Sequence, residues 1–171
     1  MWTPLFISDE SWQACKEEML SWIGTPYRHL KAVKGRGADC TLFLASVWKE
    51  IGVLNKIQHG YYPRDWNIHT HTEVVRDGLK YHIQNNVCEK IEVIEVDNRE
   101  DAFIRGDMLG FTTRGTGVTN HTTLWCGDWK ETNERNQMFN CIEQRGVCRL
   151  QYGSWWKKRL TTILRVMKEV D

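Results

Sequence analysis

Apolar residues recur at helical spacing in the first half of the chain and at alternating positions beyond it. Trp12, Cys15, Met19, Trp22 and Ile23 follow Ser8, whose hydroxyl can cap a helix, and Gly24 stops the run. Thr25-Pro26-Tyr27 then turns the chain, and the basic, glycine-containing stretch 31–37 reads as a loop. Asp39 leads into a helix over 40–51 that is apolar nearly all round, with Leu42, Phe43, Leu44, Ala45, Val47, Trp48 and Ile51, and Gly52 ends it. A helix of that kind belongs in the centre of a domain. A third helix is predicted over 72–83. The period then switches to two, giving strands over 91–96, 107–111, 121–126, 138–142, 147–151 and 163–167, with turn residues such as Arg145-Gly146 between several of them. Helices first and strands afterwards predict an α+β domain with an antiparallel sheet rather than alternating βαβ units.

A chain of 171 residues, 41% hydrophobic and 26% charged, holds one core, and residues 1–171 are read as a single domain without repeats or linkers. The formal charge of +1 supplies no global field for nucleic acid or an anionic membrane, so no nucleic-acid partner is expected. No apolar stretch approaches the roughly 20 residues of a membrane span. The start lacks a basic n-region and a long apolar h-region, so no secretory signal is expected and the protein is read as cytoplasmic at synthesis.

The six cysteines contain no Cys-x-x-Cys pair, which favours buried thiols over a zinc ribbon or disulfide framework. Nine tryptophans suit core packing, or platforms for sugar rings or peptides. His69-x-His71 with His82 looks metal-like, yet neither paired cysteines nor a Glu-containing helical motif accompanies it, and no metal is expected. Asn120-His121-Thr122 is formally a glycosylation sequon, without meaning where no secretion signal is read.

Cys40 follows the flexible Gly35-Arg36-Gly37 loop and opens the buried helix, where free N–H groups and the helix dipole favour an anion. A helix N-terminus together with a nearby imidazolium lowers a thiol pKa from about 8.5 into the range of roughly 3.5–7.5, so thiolate is available at neutral pH. The bland alternative is a small core residue.

The company Cys40 keeps decides between them. Gly24-Thr25-Pro26-Tyr27, Gly35-Arg36-Gly37-Ala38-Asp39-Cys40-Thr41-Leu42, Gly106-Asp107-Met108-Leu109-Gly110-Phe111, Asn120-His121 and Cys126-Gly127-Asp128 resemble, in order and spacing, the NlpC family of papain-like cell-wall cysteine peptidases. The resemblance spans nearly the whole chain. It implies a papain-like domain whose N-terminal helices pack on the antiparallel sheet, with the nucleophile opening the central helix. Carried over residue by residue, Cys40 matches the nucleophile, His121 the base, Asn140 the orienting residue and Tyr27 the tyrosine beside the nucleophile; Asp39 and Thr41 flank Cys40 at the substrate. Thr41 stands where Ser usually follows the nucleophile, and Thr122-Thr123 replace the usual aliphatic pair. The interval from Cys40 to His121 is longer than in compact members, and the extra residues, within 58–86, look like the insert of members encoded by phage and prophage tail operons. There Arg64, Asp65 and Trp66 either line the cleft or clamp a loop.

The residue chemistry fits. Acyl transfer needs a nucleophile, a base active near neutral pH, a group fixing that base and oxyanion donors. An amide oxygen of Asn140 can hold one nitrogen of His121 and leave the other for sulfur, while the Cys40 N–H and the Tyr27 hydroxyl serve as oxyanion donors. Strand alternation puts His121, Thr123 and Trp125 on one face. Asn140 must share that face, with Phe139 and Cys141 directed into the core. Asn133 and Asn136 are the alternatives to Asn140 and are expected on a turn. The expected activity is hydrolysis of an amide bond in a peptidoglycan stem peptide, without metal or organic cofactor. Phage tail proteins are the expected partners, and a virion- or tail-associated place of action goes with them. The rivals are a non-catalytic tail docking protein that retains the fold, and an amidase or acyltransferase acting on another amide or thioester.

Overall fold

The computed structural model describes residues 1–61, 63–64, 71–97 and 103–171. Helix α1 spans Asp9–Ser21, and its N-terminus is closed by the Ser8 hydroxyl, which accepts from the Ser11 N–H at 3.2 Å. Cys15 and Met19 face the core from it. A two-residue hairpin, β2 (Ala32–Val33) and β3 (Gly37–Ala38), delivers the chain to α2, Cys40–Glu50. Helix α3 spans Val74–Gln84, two residues later than its apolar spacing predicts. The Val74 N–H turns back to the Thr72 carbonyl at 2.8 Å, and the Glu73 carboxylate accepts from the Thr119 N–H at 3.1 Å instead of capping the helix. Among the described residues no helix is long and apolar enough to cross a membrane.

The remaining elements are β1 (Trp2–Pro4), β4 (Ile91–Val96), β5 (Met108–Phe111), β6 (His121–Trp129), β7 (Glu134–Ile142), β8 (Gly146–Gln151), the short helix α4 (Ser154–Lys157) and β9 (Leu160–Glu169). All strands but β2 and β3 form one antiparallel sheet in which β9-β5-β6-β7-β8 run side by side. Strand β4 pairs with Ile163 and Leu164, as β5 does, and with Met167 and Lys168, as β1 does. A strand has two edges, so β4 holds one edge of β9 while β1 and β5 share the other.

Alternation along the strands divides the core in two. Leu124, Phe139 and Cys141 point to the face covered by α1, α2 and α3, where Phe43, Val47 and Trp48 are fully buried. Leu109, Phe111, Trp125, Met138 and Ile163 point to the other face, under Tyr152 and Trp156. The expected α+β architecture is therefore present, with α1, α2 and α3 on one face of the sheet, Trp156 of the short helix α4 on the other, and α2 central.

Two expectations need correction. Strands β6 and β7 are longer than their alternation suggests, because register shifts between Trp125 and Trp129 break the period. Asn136 accordingly lies within β7, at a φ of +52°, and not on a turn. Neither β1 nor α4 was anticipated.

The β5–β9 junction is locked by charge. Asp107, 1% exposed, accepts from Arg165 Nε at 2.9 Å and Nη2 at 2.8 Å, and its Oδ2 also accepts from the Ile104 N–H at 2.9 Å. Gly106 before it sits at a φ of +87°, and a Cβ there would lie 2.0 Å from the Phe6 ring. Removing one partner of a buried ion pair strands the other, so Asp107→Ala is expected to destabilise by roughly 3–5 kcal/mol in urea unfolding. A loss below about 1 kcal/mol would show that the pair does not hold this junction.

Candidate active site

The site begins at the N-terminus of α2. Asp39 caps the helix: its Oδ1 accepts from the N–H groups of Thr41 at 3.1 Å and Leu42 at 2.7 Å. Its Oδ2 accepts from the Leu30 N–H at 3.0 Å, which ties the preceding loop to the helix. Asp39 thus lies beside Cys40, but its carboxylate is engaged with backbone. Cys40 follows as the first helical residue, where its own N–H has no carbonyl one turn earlier to bond.

His121 opens β6, and Asn140 lies on β7 on the same sheet face. His121 Nε2 and Asn140 Oδ1 are 2.9 Å apart, and Asn140 Nδ2 donates to the Met138 carbonyl at 3.3 Å. The second bond fixes the amide orientation, so Oδ1 is the acceptor and Nε2 carries the proton. Nδ1 is then the nitrogen left for Cys40, whose charge acts on the ring.

Electrostatics follow from this contact. Burial alone would raise the Cys40 pKa, but the charge and hydrogen bond of His121, with the Thr122 backbone N–H, outweigh it and leave the thiol below its ordinary value. Burial alone would lower the His121 pKa, yet the Cys40 thiolate and the Asn140 amide raise it above the ordinary imidazole value. Both shifts favour the thiolate–imidazolium pair. Elsewhere burial pushes the thiols of Cys15, Cys141 and Cys148 up, and that of Cys126 up to about 12.

Tyr27 is held by backbone. The Ala38 N–H donates to the Pro26 carbonyl at 3.0 Å and the Arg28 N–H to the Ala38 carbonyl at 2.9 Å, bracketing Tyr27 against the residue two before Cys40. From the other side the Val147 N–H donates to the Thr25 carbonyl at 2.8 Å, an approach that Gly146 permits, since a Cβ there would lie 2.1 Å from that oxygen. Burial, and next the Cys40 thiolate, raise the Tyr27 pKa, so the hydroxyl remains a proton donor. Thr41 places its Oγ1 3.8 Å from the Cys40 sulfur and 3.4 Å from Thr122 Oγ1. Asp65, Trp66 and His69 lie outside the described residues. Among the described residues no group of three His, Cys, Asp or Glu side chains is placed to hold a metal ion.

Cys40, His121 and Tyr27 open into a cleft of about 520 Å³, bounded by the Arg64–Glu143 ion pair, at 2.8 Å, and by Trp155 and Trp156 of α4. Trp156 stacks on the His121 ring, with centroids 5.4 Å apart and planes at 28°. Trp155 packs edge-on against Trp156, and Arg159 covers Trp155 at 4.0 Å. Sequence reasoning missed this pair, because a four-residue helix has no period to read. The adjacent Gly153-Ser154-Trp155-Trp156 was the available signal.

No protein-family model and no curated protein matches the sequence. Solved structures do. A lipoprotein-like NLP/P60 family protein of Staphylococcus aureus superposes on 95% of this chain and 43% of its own, with a TM-score of 0.58 at 17% identity. An NlpC/P60 family protein of Bacillus cereus gives 0.53 over 88% of this chain and 38% of its own, also at 17% identity. NlpC2 of Trichomonas vaginalis gives 0.55 over 91% and 46%, at 9% identity. The chain has the NlpC/P60 fold and spans less than half the length of these three proteins.

The geometry dictates a pH dependence. A lowered Cys40 pKa keeps thiolate present at pH values where an ordinary thiol is protonated, so Cys40 is expected to react with iodoacetamide at pH 6–7 well before the other cysteines. Asn140→Ala removes support for the imidazolium, and the midpoint of the Cys40 alkylation profile should move to higher pH. An unmoved midpoint would show that Asn140 does not bear on the pair.

Proposed function

We propose that the protein is a cysteine peptidase that hydrolyses an amide bond in peptidoglycan stem peptides, with Cys40 as nucleophile, His121 as base and acid, and Asn140 as orienting residue. One observation carries this reading: the Cys40 thiol, at the mouth of a cleft, is held below its ordinary pKa by an imidazole that Asn140 fixes at 2.9 Å. A docking protein has no use for that arrangement.

The thiolate attacks the carbonyl carbon, a C–S bond forms, and the carbonyl π pair moves to oxygen. The oxyanion accepts from the Cys40 N–H and the Tyr27 hydroxyl. As the C–N bond breaks, the amine takes the proton from His121 Nδ1 and leaves an acyl thioester. His121 then removes a proton from water, whose oxygen attacks the thioester and releases the acid, and the thiol takes the proton back. Trp156, stacked on the ring, keeps bulk water from one face of the imidazole.

The substrate class is supported by the motif resemblance and by the NlpC/P60 fold. In the same reading the enzyme acts at the wall after delivery by a tail-like particle, supported by the insert within 58–86.

Digestion of purified sacculi, followed by mass spectrometry, tests the proposal. The parent is expected to release stem-peptide fragments. Cys40→Ala should abolish release with the fold intact, Cys126→Ala should retain it, and Tyr27→Phe should lower turnover on the order of 10²–10³. Release that persists in Cys40→Ala would overturn the nucleophile, and intact sacculi with an active thiol would favour another amide or thioester as substrate.

A further inference from the structure

Strand β6 runs between β5 and β7, and His121, its first residue, pairs with Phe111 of β5. The cleft therefore has two flanks. On the β7 flank Glu143, just past the end of β7, pairs with Arg64, whose guanidinium lies 5.9 Å from the centre of the Tyr27 ring. On the β5 flank the loop over 112–120 brings Arg114 into the same cleft, which Trp155 and Trp156 also line. That loop is pinned at both feet. The Thr113 N–H and hydroxyl both donate to Asn120 Oδ1 at 2.9 Å, the Thr112 N–H donates to the Arg159 carbonyl at 2.9 Å, and the Thr119 N–H donates to the Glu73 carboxylate at 3.1 Å. Asn120 adjoins His121, so the root of Arg114 is held next to the imidazole. Glu143 neutralises Arg64, but Arg114 has no ion pair or hydrogen bond among the described residues.

The proposed reaction gives the two flanks different roles. The oxyanion faces the Cys40 N–H and Tyr27, while the departing nitrogen takes its proton from His121 Nδ1. The acyl part of the substrate then lies along the Tyr27 flank and the departing fragment along the Arg114 flank. We propose that Arg114 is the specificity-determining residue for the departing fragment, binding a carboxylate that this fragment carries within one residue of the scissile nitrogen. A guanidinium presents a planar pair of donors that a carboxylate accepts side by side. The inference rests on Cys40 as the nucleophile and adds a preference to that reading: stem peptides in which this carboxylate is free are turned over before those in which it is a carboxamide.

Acyl transfer to an added amine reads this flank, because an accepting amine occupies the place of a departing one. Nitrophenyl acetate acetylates the Cys40 thiolate and releases nitrophenol, which takes the His121 proton. A neutral amine then attacks the thioester, the C–N bond forms as the C–S bond breaks, and His121 takes the surplus proton from nitrogen. Dialanine and dialaninamide have amines of similar basicity and differ in the carboxylate. Acetyl transfer, followed by mass spectrometry above the rate without protein, is expected to favour dialanine by roughly three- to ten-fold in the parent, between the worth of an exposed ion pair and that of a charge-assisted hydrogen bond. Added salt should reduce that ratio. Arg114→Gln should bring it towards one, and Arg114→Lys, which keeps the charge without the planar fork, should fall between. Equal transfer in the parent, transfer to neither amine, or a ratio that survives in Arg114→Gln would overturn the role of Arg114 while the nucleophile stands. A parent that takes no acetyl group on Cys40 would overturn the nucleophile and this inference with it.

Discussion

A single carboxylate determines where the candidate site of this protein forms. Asp39 accepts hydrogen bonds from Leu30, Thr41 and Leu42, so it fixes the start of α2, the loop before it and the exit of β3 at once. Because those N–H groups are satisfied by Asp39, the helix begins at Cys40 and not a turn earlier or later. Cys40 thereby keeps its own N–H outside the helix ladder, at the positive end of the helix dipole. A shift of one residue would rotate the thiol by about 100° around the helix, away from β6.

The opposing wall is set by the sheet. Strands β6 and β7 hold His121 and Asn140 on one face while Leu124, Phe139 and Cys141 on the other pack beneath α2. His121 and Thr122 are the first residues of β6, and there the ring and the Thr122 N–H both act on the Cys40 sulfur at the start of α2. Desolvation opposes charge on both members of the pair, and each ion offsets it for the other, with Asn140 adding a neutral hydrogen bond. An Asn orients the ring without a further buried charge that would itself need a partner.

Much of this was legible in the sequence where burial is complete and periodicity long. Helix α2 reads as central because it is apolar nearly all round, and Phe139 and Cys141 alternate with Asn140 in a way only one register satisfies. Elements without a period escaped: β1 is three residues long with Pro4 at its end, and α4 is four. Asn136 was misplaced because bulges in β6 let β7 extend past it. The stacking of Trp156 on His121 joins residues 35 positions apart, and nothing local announces it.

The central claim is that Cys40 carries the acyl group. Mixing the protein with a nitrophenyl ester, quenching with acid within the first turnover and mapping the intact mass to a peptide measures this directly. The account predicts one acyl adduct on the peptide containing Cys40, accumulating in the parent and formed far more slowly in His121→Ala. Turnover without an adduct, or an adduct on another cysteine, would contradict it.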